Sequence, residues 1–171
     1  MKRLFWALWP PEHVRAQLDE IAGNHVKHGR RIPAERLHLT LRFLGHVSSE
    51  QAAALVQTKE INSTPGFTLR LQKSGYFTKS KIFWLGPTQT PPALQQLVEL
   101  INHYSEAAGL DRVPKNFRPH VTLARNVEPL DHFELPQVIQ WPVSQFSLVE
   151  SRQGVSGPEY TNLAHWPLAG M

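Results

Sequence analysis

The chain has 171 residues, 41% of them hydrophobic, enough to bury one sizeable core in a single domain spanning 1–171. It has no cysteine, so disulfide frameworks and thiolate zinc sites are excluded and a reducing, cytoplasmic setting is expected. A net charge of +4 favours anionic partners such as nucleic acid, and no stretch approaches the roughly 18 apolar residues of a membrane span.

Arg3 to Leu8 reads as a buried first strand, too short for a signal-peptide core. Pro10 and Pro11 suit a helix entrance, and Val14, Leu18, Ile21 and His25 at helical spacing predict a helix over about 11–26. Gly29 to Pro33 reads as a basic loop. Leu37 to Leu44 alternates as a strand that Gly45 ends. Ser48 and Gln51 have capping-box spacing for a helix running to about Ile61. Pro65-Gly66 marks a turn, Phe67 to Leu71 alternates as a strand broken by Gly75, and Lys81 to Leu85 is a second apolar strand. Thr90 is the expected N-cap of a helix from Pro91 to about Ala108, ended by Gly109. His120 to Arg125, Phe146 to Glu150 and Tyr160 to Trp166 read as strands, while 131–141 is proline-spaced and shows no clear element. Short strands interrupted by about three helices point to an α+β fold rather than a doubly wound one.

One phrase occurs twice, as His38-Leu39-Thr40-Leu41 and as His120-Val121-Thr122-Leu123. On a strand, residues two apart share a face, so each copy presents an imidazole and a hydroxyl together above an apolar side. The surroundings repeat too: Phe5-Trp6-Ala7-Leu8, Pro10-Pro11 and a helix precede the first copy, and Phe83-Trp84-Leu85, Pro91-Pro92 and a helix precede the second. A duplicated half would bring both motif strands together across a pseudo-two-fold axis. By parity Arg42 should project beside His38 and Thr40. Arg125 has the opposite parity to His120 and reaches the same side only if the strand ends, bulges or twists.

Two imidazoles titrating near neutrality can act as acid and base on opposite sides of a phosphorus atom. Hydroxyls beside them can hold the non-bridging oxygens. Hydrolysis of an RNA 2′,3′-cyclic phosphate needs that pairing and no metal. The pair could instead ligate a metal, but no His-Glu-x-x-His or acidic partner stands at ligand spacing, so no metal or cofactor is expected. No glycine-rich nucleotide fingerprint occurs either. Three basic clusters flank the motifs: Lys27, His28, Arg30, Arg31 and Arg36; Lys79 and Lys81; and Lys115 with Arg118. Phe43, Tyr76 and Trp84 are candidates to stack on a base, each weighed against a role in the core. The remaining histidines (13, 25, 28, 46, 103, 132 and 165) lack the pattern and read as surface or structural.

The paired His-x-Thr-Leu phrases resemble the two-histidine (2H) phosphoesterase superfamily, and within it the RNA 2′,3′-cyclic phosphodiesterases, also called 2′-5′ RNA ligases. Arg3 to Leu8, Leu37 to Gly45, Phe83 to Gly86 and Pro119 to Arg125 stand in that family's order, and the similarity weakens only around 126–142. The resemblance implies a bilobal α+β fold, two pseudo-symmetric lobes each with an antiparallel sheet and outer helices, and a cleft between them holding both motifs. It implies hydrolysis of cyclic RNA ends to 2′-phosphates, with weak reversible 2′-5′ ligation of tRNA halves. His38 and His120 would be the acid–base pair, His120 the base and His38 the acid, with Thr40, Thr122 and Arg125 binding the phosphate; Phe43 is added as the substrate-binding candidate for the terminal base. A monomer acting on RNA away from membranes is expected. Two other readings stay open: an RNA-binding module without chemistry, and a phosphodiesterase for small cyclic nucleotides.

Overall fold

The computed structural model describes residues 1–58, 64–113 and 116–170. In chain order these form β1 (Lys2–Leu8), α1 (Glu12–His25), β2 (Arg30–Arg31), a single 3-10 turn (Ala34–Arg36), β3 (Leu39–Val47), α2 (Ser49–Val56), β4 (Phe67–Phe77), β5 (Ile82–Gly86), α3 (Pro92–Ala107), β6 (Val121–Arg125), β7 (Glu134–Val143), β8 (Gln145–Gly154) and β9 (Gly157–Pro167). The strands make one nine-stranded sheet in the order β7-β4-β5-β6-β3-β1-β8-β9, with β2 pairing beside β6. Every strand pair is antiparallel, as an α+β fold requires. None of the described helices is long and apolar enough to cross a membrane.

The centre of the sheet is its narrowest join. β3 and β6 meet at one residue pair, Leu39 with Val121. Past that bridge β2 takes over the edge of β6, pairing Arg31 with Ala124 and Arg30 with Arg125. The helices knit the two halves. α1 follows β1 but packs on β6 and β7; α3 follows β5 but packs on β3. Their buried stripes (Val14, Leu18 and Ala22; Leu94, Leu97, Val98 and Ile101) cover the face carrying Trp6, Leu39, Phe83, Val121 and Leu123. Each such Val, Leu or Ile side chain contributes about 1.5–3 kcal/mol on burial. Trp6 adds a hydrogen bond, its Nε1–H donating to Ser105 Oγ of α3 at 3.2 Å.

The repeat survives with a shifted equivalence. Leu8 pairs with Leu39 and Ala7 with Thr40, while Leu85 pairs with Val121 and Trp84 with Thr122. Trp6 therefore corresponds to Phe83, both core residues, rather than to Trp84.

Several expectations are corrected. The segment around 131–141 contains a ten-residue strand. β7 lies at the sheet edge, where Pro136 and Pro142 forfeit no essential ladder bond, and it buries Leu135, Ile139, Trp141 and Val143. β4 runs through Gly75 unbroken, and β3 runs through Gly45, whose φ of 72° absorbs an irregular pairing with β1. Arg30 and Arg31 are strand rather than loop because β6 offers them a free edge. Pro65 forms a parallel bridge to Ala169, which makes the expected turn part of the sheet periphery. The capping box of α2 forms as expected, with Ser48 and Gln51 exchanging both bonds, but the helix stops at Val56; Ile61 lies outside the described residues. Pro91, not Thr90, is the N-cap of α3.

Candidate active site

The bridge between Leu39 and Val121 sets the register of the two motifs. Both side chains are fully buried on the helix-covered face. Their chain neighbours must project from the other face. His38 thus stands across from Thr122, and Thr40 across from His120, around one local two-fold axis. All four residues are half-buried.

The imidazoles are fixed in the same way. His38 Nδ1–H donates to the Arg36 carbonyl at 2.6 Å, and His120 Nδ1–H donates to the Arg118 carbonyl at 2.7 Å. A carbonyl only accepts, so Nδ1 carries the proton and Nε2 is the nitrogen left to exchange one. Rings enclose each imidazole. Phe5, Trp9 and Tyr160 lie with centroids 5.1, 5.2 and 5.3 Å from His38. Phe77 and Trp84 lie 5.1 and 6.0 Å from His120. This desolvation holds both histidines below the ordinary value of 6.5. The bonds to the Arg36 and Arg118 carbonyls oppose it. The charge of Arg125 adds to the lowering at both rings, joined by His120 acting on His38 and by Arg118 acting on His120.

Two bulges decide which way the following residues face. On β3, Ala7 pairs with Thr40 but Trp6 pairs with Arg42, leaving Leu41 without a partner on β1. The phase of the strand resets there. Arg42 consequently turns to the helix side, 6% exposed, and donates to Asn102 Oδ1 and its carbonyl at 3.1 and 3.3 Å and to the Asp111 carbonyl at 2.6 Å. The parity expectation for Arg42 fails, and the bulge is the reason. On β6, Leu123 is the extra residue, since Trp84 pairs with Thr122 and Phe83 with Ala124. The same reset brings Arg125 to the histidine side, opposite Ile82 and Arg30. Phe43, its equivalent on β3, pairs with Phe5 on that same side and is 50% exposed beneath the Arg3 guanidinium, 5.0 Å away.

The other candidates divide. Trp84 is buried beneath His120, and Tyr76 is half-buried against the core, its hydroxyl donating to the Val127 carbonyl at 2.7 Å. Of the basic clusters, Arg31 pairs with Asp19 at 2.7 Å on the surface, Arg36 reaches the Ser156 carbonyl, and Arg118 lies over Phe77. Lys115 lies outside the described residues. Among the described residues no three His, Asp or Glu side chains converge as a metal would need. The ring wall of Phe5, Trp9 and Tyr160 escaped sequence reasoning, because Tyr160 arrives from β9 and carries no local signal.

Comparison with known proteins gives the family. A family model, described as the 2′-5′ RNA ligase superfamily, matches residues 10–154. The chain belongs to this superfamily. An RNA 2′,3′-cyclic phosphodiesterase of Escherichia coli is 34% identical over 98% of this chain and 97% of that protein. One from Thermus thermophilus is 35% identical over 98% and 91%. The crystal structure of E. coli LigT in apo form matches with a TM-score of 0.88 at 32% identity, covering 99% of this chain and 98% of that one. Both His-x-Thr triplets, Phe43 and Arg125 fall inside the matched superfamily region, whereas Phe5, Trp9 and Tyr160, the rings around His38, fall outside it.

Proposed function

We propose that this protein hydrolyses 2′,3′-cyclic phosphate ends of RNA to 2′-phosphates with His38 and His120 as its acid–base pair. The observation that carries the reading is the facing of the two His-x-Thr triplets across the Leu39–Val121 bridge, each imidazole held at Nδ1. We read the two four-stranded halves of the sheet as lobes, with the cleft where β3 and β6 part, both within one domain.

The local symmetry is broken at one pair of positions, Phe43 and Arg125. An exposed ring suits a base, and a guanidinium suits phosphate oxygens. With the terminal nucleoside on the Phe43 side, its O3′ lies toward His38 and water enters from His120. His120 Nε2 takes a proton from water as the oxygen attacks phosphorus. The P–O3′ bond breaks, and O3′ takes the proton from His38 Nε2, leaving a 2′-phosphate and a 3′-hydroxyl. Thr40 and Thr122 donate to the non-bridging oxygens. Burial favours neutral imidazoles in the free site; the anionic diester restores the charged form at His38. A 5′-hydroxyl of a second RNA in place of water would yield a 2′-5′ linkage by the same steps.

The test is turnover, with chelator present, of an oligoribonucleotide ending in 2′,3′-cyclic phosphate, resolving 2′- from 3′-phosphate products. We expect 2′-phosphate, and losses of about 10²-fold or more in His38→Ala and in His120→Ala. RNA binding without turnover would leave only a binding module, and turnover abolished by chelator would replace the two-histidine scheme with a metal-dependent one.

A further inference from the structure

We infer that the RNA strand upstream of the cyclic end runs along β1 from Phe43 to a cationic hollow built by Arg3, His46 and Arg152. This track rests on the cyclic-phosphodiesterase reading and names what that site would recognise beyond the terminal nucleotide.

The register of β1 on β3 sets out the path. Ala7 pairs with Thr40, Phe5 with Phe43 and Arg3 with His46, and these rows share the histidine-bearing face. Successive rows are two residues apart on β1, roughly 6.6 Å, so Arg3 lies about 13 Å beyond the Thr40 row. An extended RNA strand advances roughly one such row per nucleotide. A phosphate held at the Thr40 row therefore puts the phosphate two nucleotides upstream beside Arg3.

The hollow there, about 530 Å3, is lined by Lys2, Arg3, His46, Glu150 and Arg152 among others. Glu150 is its one carboxylate, and it is occupied by Lys2 and Arg152 at 3.0 Å each. Arg3 makes no ion pair among the described residues, and its guanidinium covers the exposed Phe43 ring. Arg3 and His46 reach the hollow from the histidine-bearing face, and Lys2, Glu150 and Arg152 reach it from the other face round the end of β1; the cations outnumber the carboxylate, so the hollow is complementary to a phosphodiester strand. A neighbouring hollow of about 330 Å3 shares His46 and reaches Phe43, but it sets Asp111 against Arg42 and Arg112, and Arg42 is already engaged by Asn102 and the Asp111 carbonyl, so its excess of positive charge is smaller.

The experiment measures kcat/KM for mono-, di- and trinucleotides ending in 2′,3′-cyclic phosphate, in wild type, Arg3→Gln and Arg3→Gln/Arg152→Gln. Binding of the trinucleotide 2′-phosphate product is followed by fluorescence polarisation. We expect a gain of about tenfold on passing from di- to trinucleotide, lost in the double variant, and a salt slope for binding shallower by about 0.7 per phosphate contact removed. Trinucleotide binding and turnover equal to wild type in the double variant, or an equal loss on the mononucleotide, overturns the track. Absence of turnover on all three substrates by wild type overturns the functional reading instead, and the binding comparison then decides the track alone.

Discussion

Gly75 lies directly opposite Trp84 in the β4–β5 ladder, and the indole lies across the space a side chain at 75 would occupy. A Cβ there would sit 1.9 Å from Trp84 Cζ2 and 2.2 Å from Cε2. Ordinary carbon contact begins near 3.5 Å, so in Gly75→Ala the indole must retreat by about 1.6 Å. Trp84 is 7% exposed and packed against Phe77 and His120, so the displacement passes to the imidazole. We expect a stability loss of about 1–3 kcal/mol, the usual range for overpacking. Misplacing His120 by about 1 Å should cost on the order of 10²-fold in kcat/KM. The double variant Gly75→Ala/Trp84→Phe should recover most of the stability, because the smaller ring leaves room and removes a buried indole N–H that has no partner. Urea unfolding measures the first quantity, and turnover of a cyclic-phosphate RNA end measures the second. Wild-type stability and turnover in Gly75→Ala, or no recovery in the double variant, would refute the reasoning.

Arg42→Met should lower stability by about 2–3 kcal/mol through its lost bonds to Asn102 and Asp111, while turnover per folded molecule stays within about twofold; a large kcat loss at unchanged stability would return Arg42 to the phosphate. Phe43→Ala should raise KM for RNA by about tenfold with little change in Tm, since the ring is half exposed and stacking is worth about 1–3 kcal/mol per base; an unchanged KM removes the platform. Stability should fall as pH drops from about 7.5 to about 5.5, because both histidines are held below 6.5 and the unfolded chain binds more protons in that window. Sulfate should offset that loss by pairing with the imidazolium forms, more at the acid end, and a double His38→Gln/His120→Gln variant should show a flatter profile by differential scanning fluorimetry.

Much of this protein follows from local pattern. The periodicities of Val14 to His25 and Leu94 to Ile101, the Ser48–Gln51 box and the alternation around each His-x-Thr depend on residues close in the chain, where geometry is set by 3.6- and 2-residue periods. The duplication, visible as two identical spacings of His and Thr, made the facing pair legible without coordinates. What lay outside reach was the register of each strand against its partner. A lone strand has parity but no register, so nothing in Leu41-Arg42 or Leu123-Ala124-Arg125 announces a bulge. The bulges arise from pairing with β1 and β5, and they send Arg42 to the helices and Arg125 to the histidines. β7 was hidden because its prolines are tolerated only at an edge, and only the assembled sheet has one. The tertiary structure alone decided the ring walls and charges that set the two imidazoles, because burial and Coulomb energy depend on distance in space rather than along the chain.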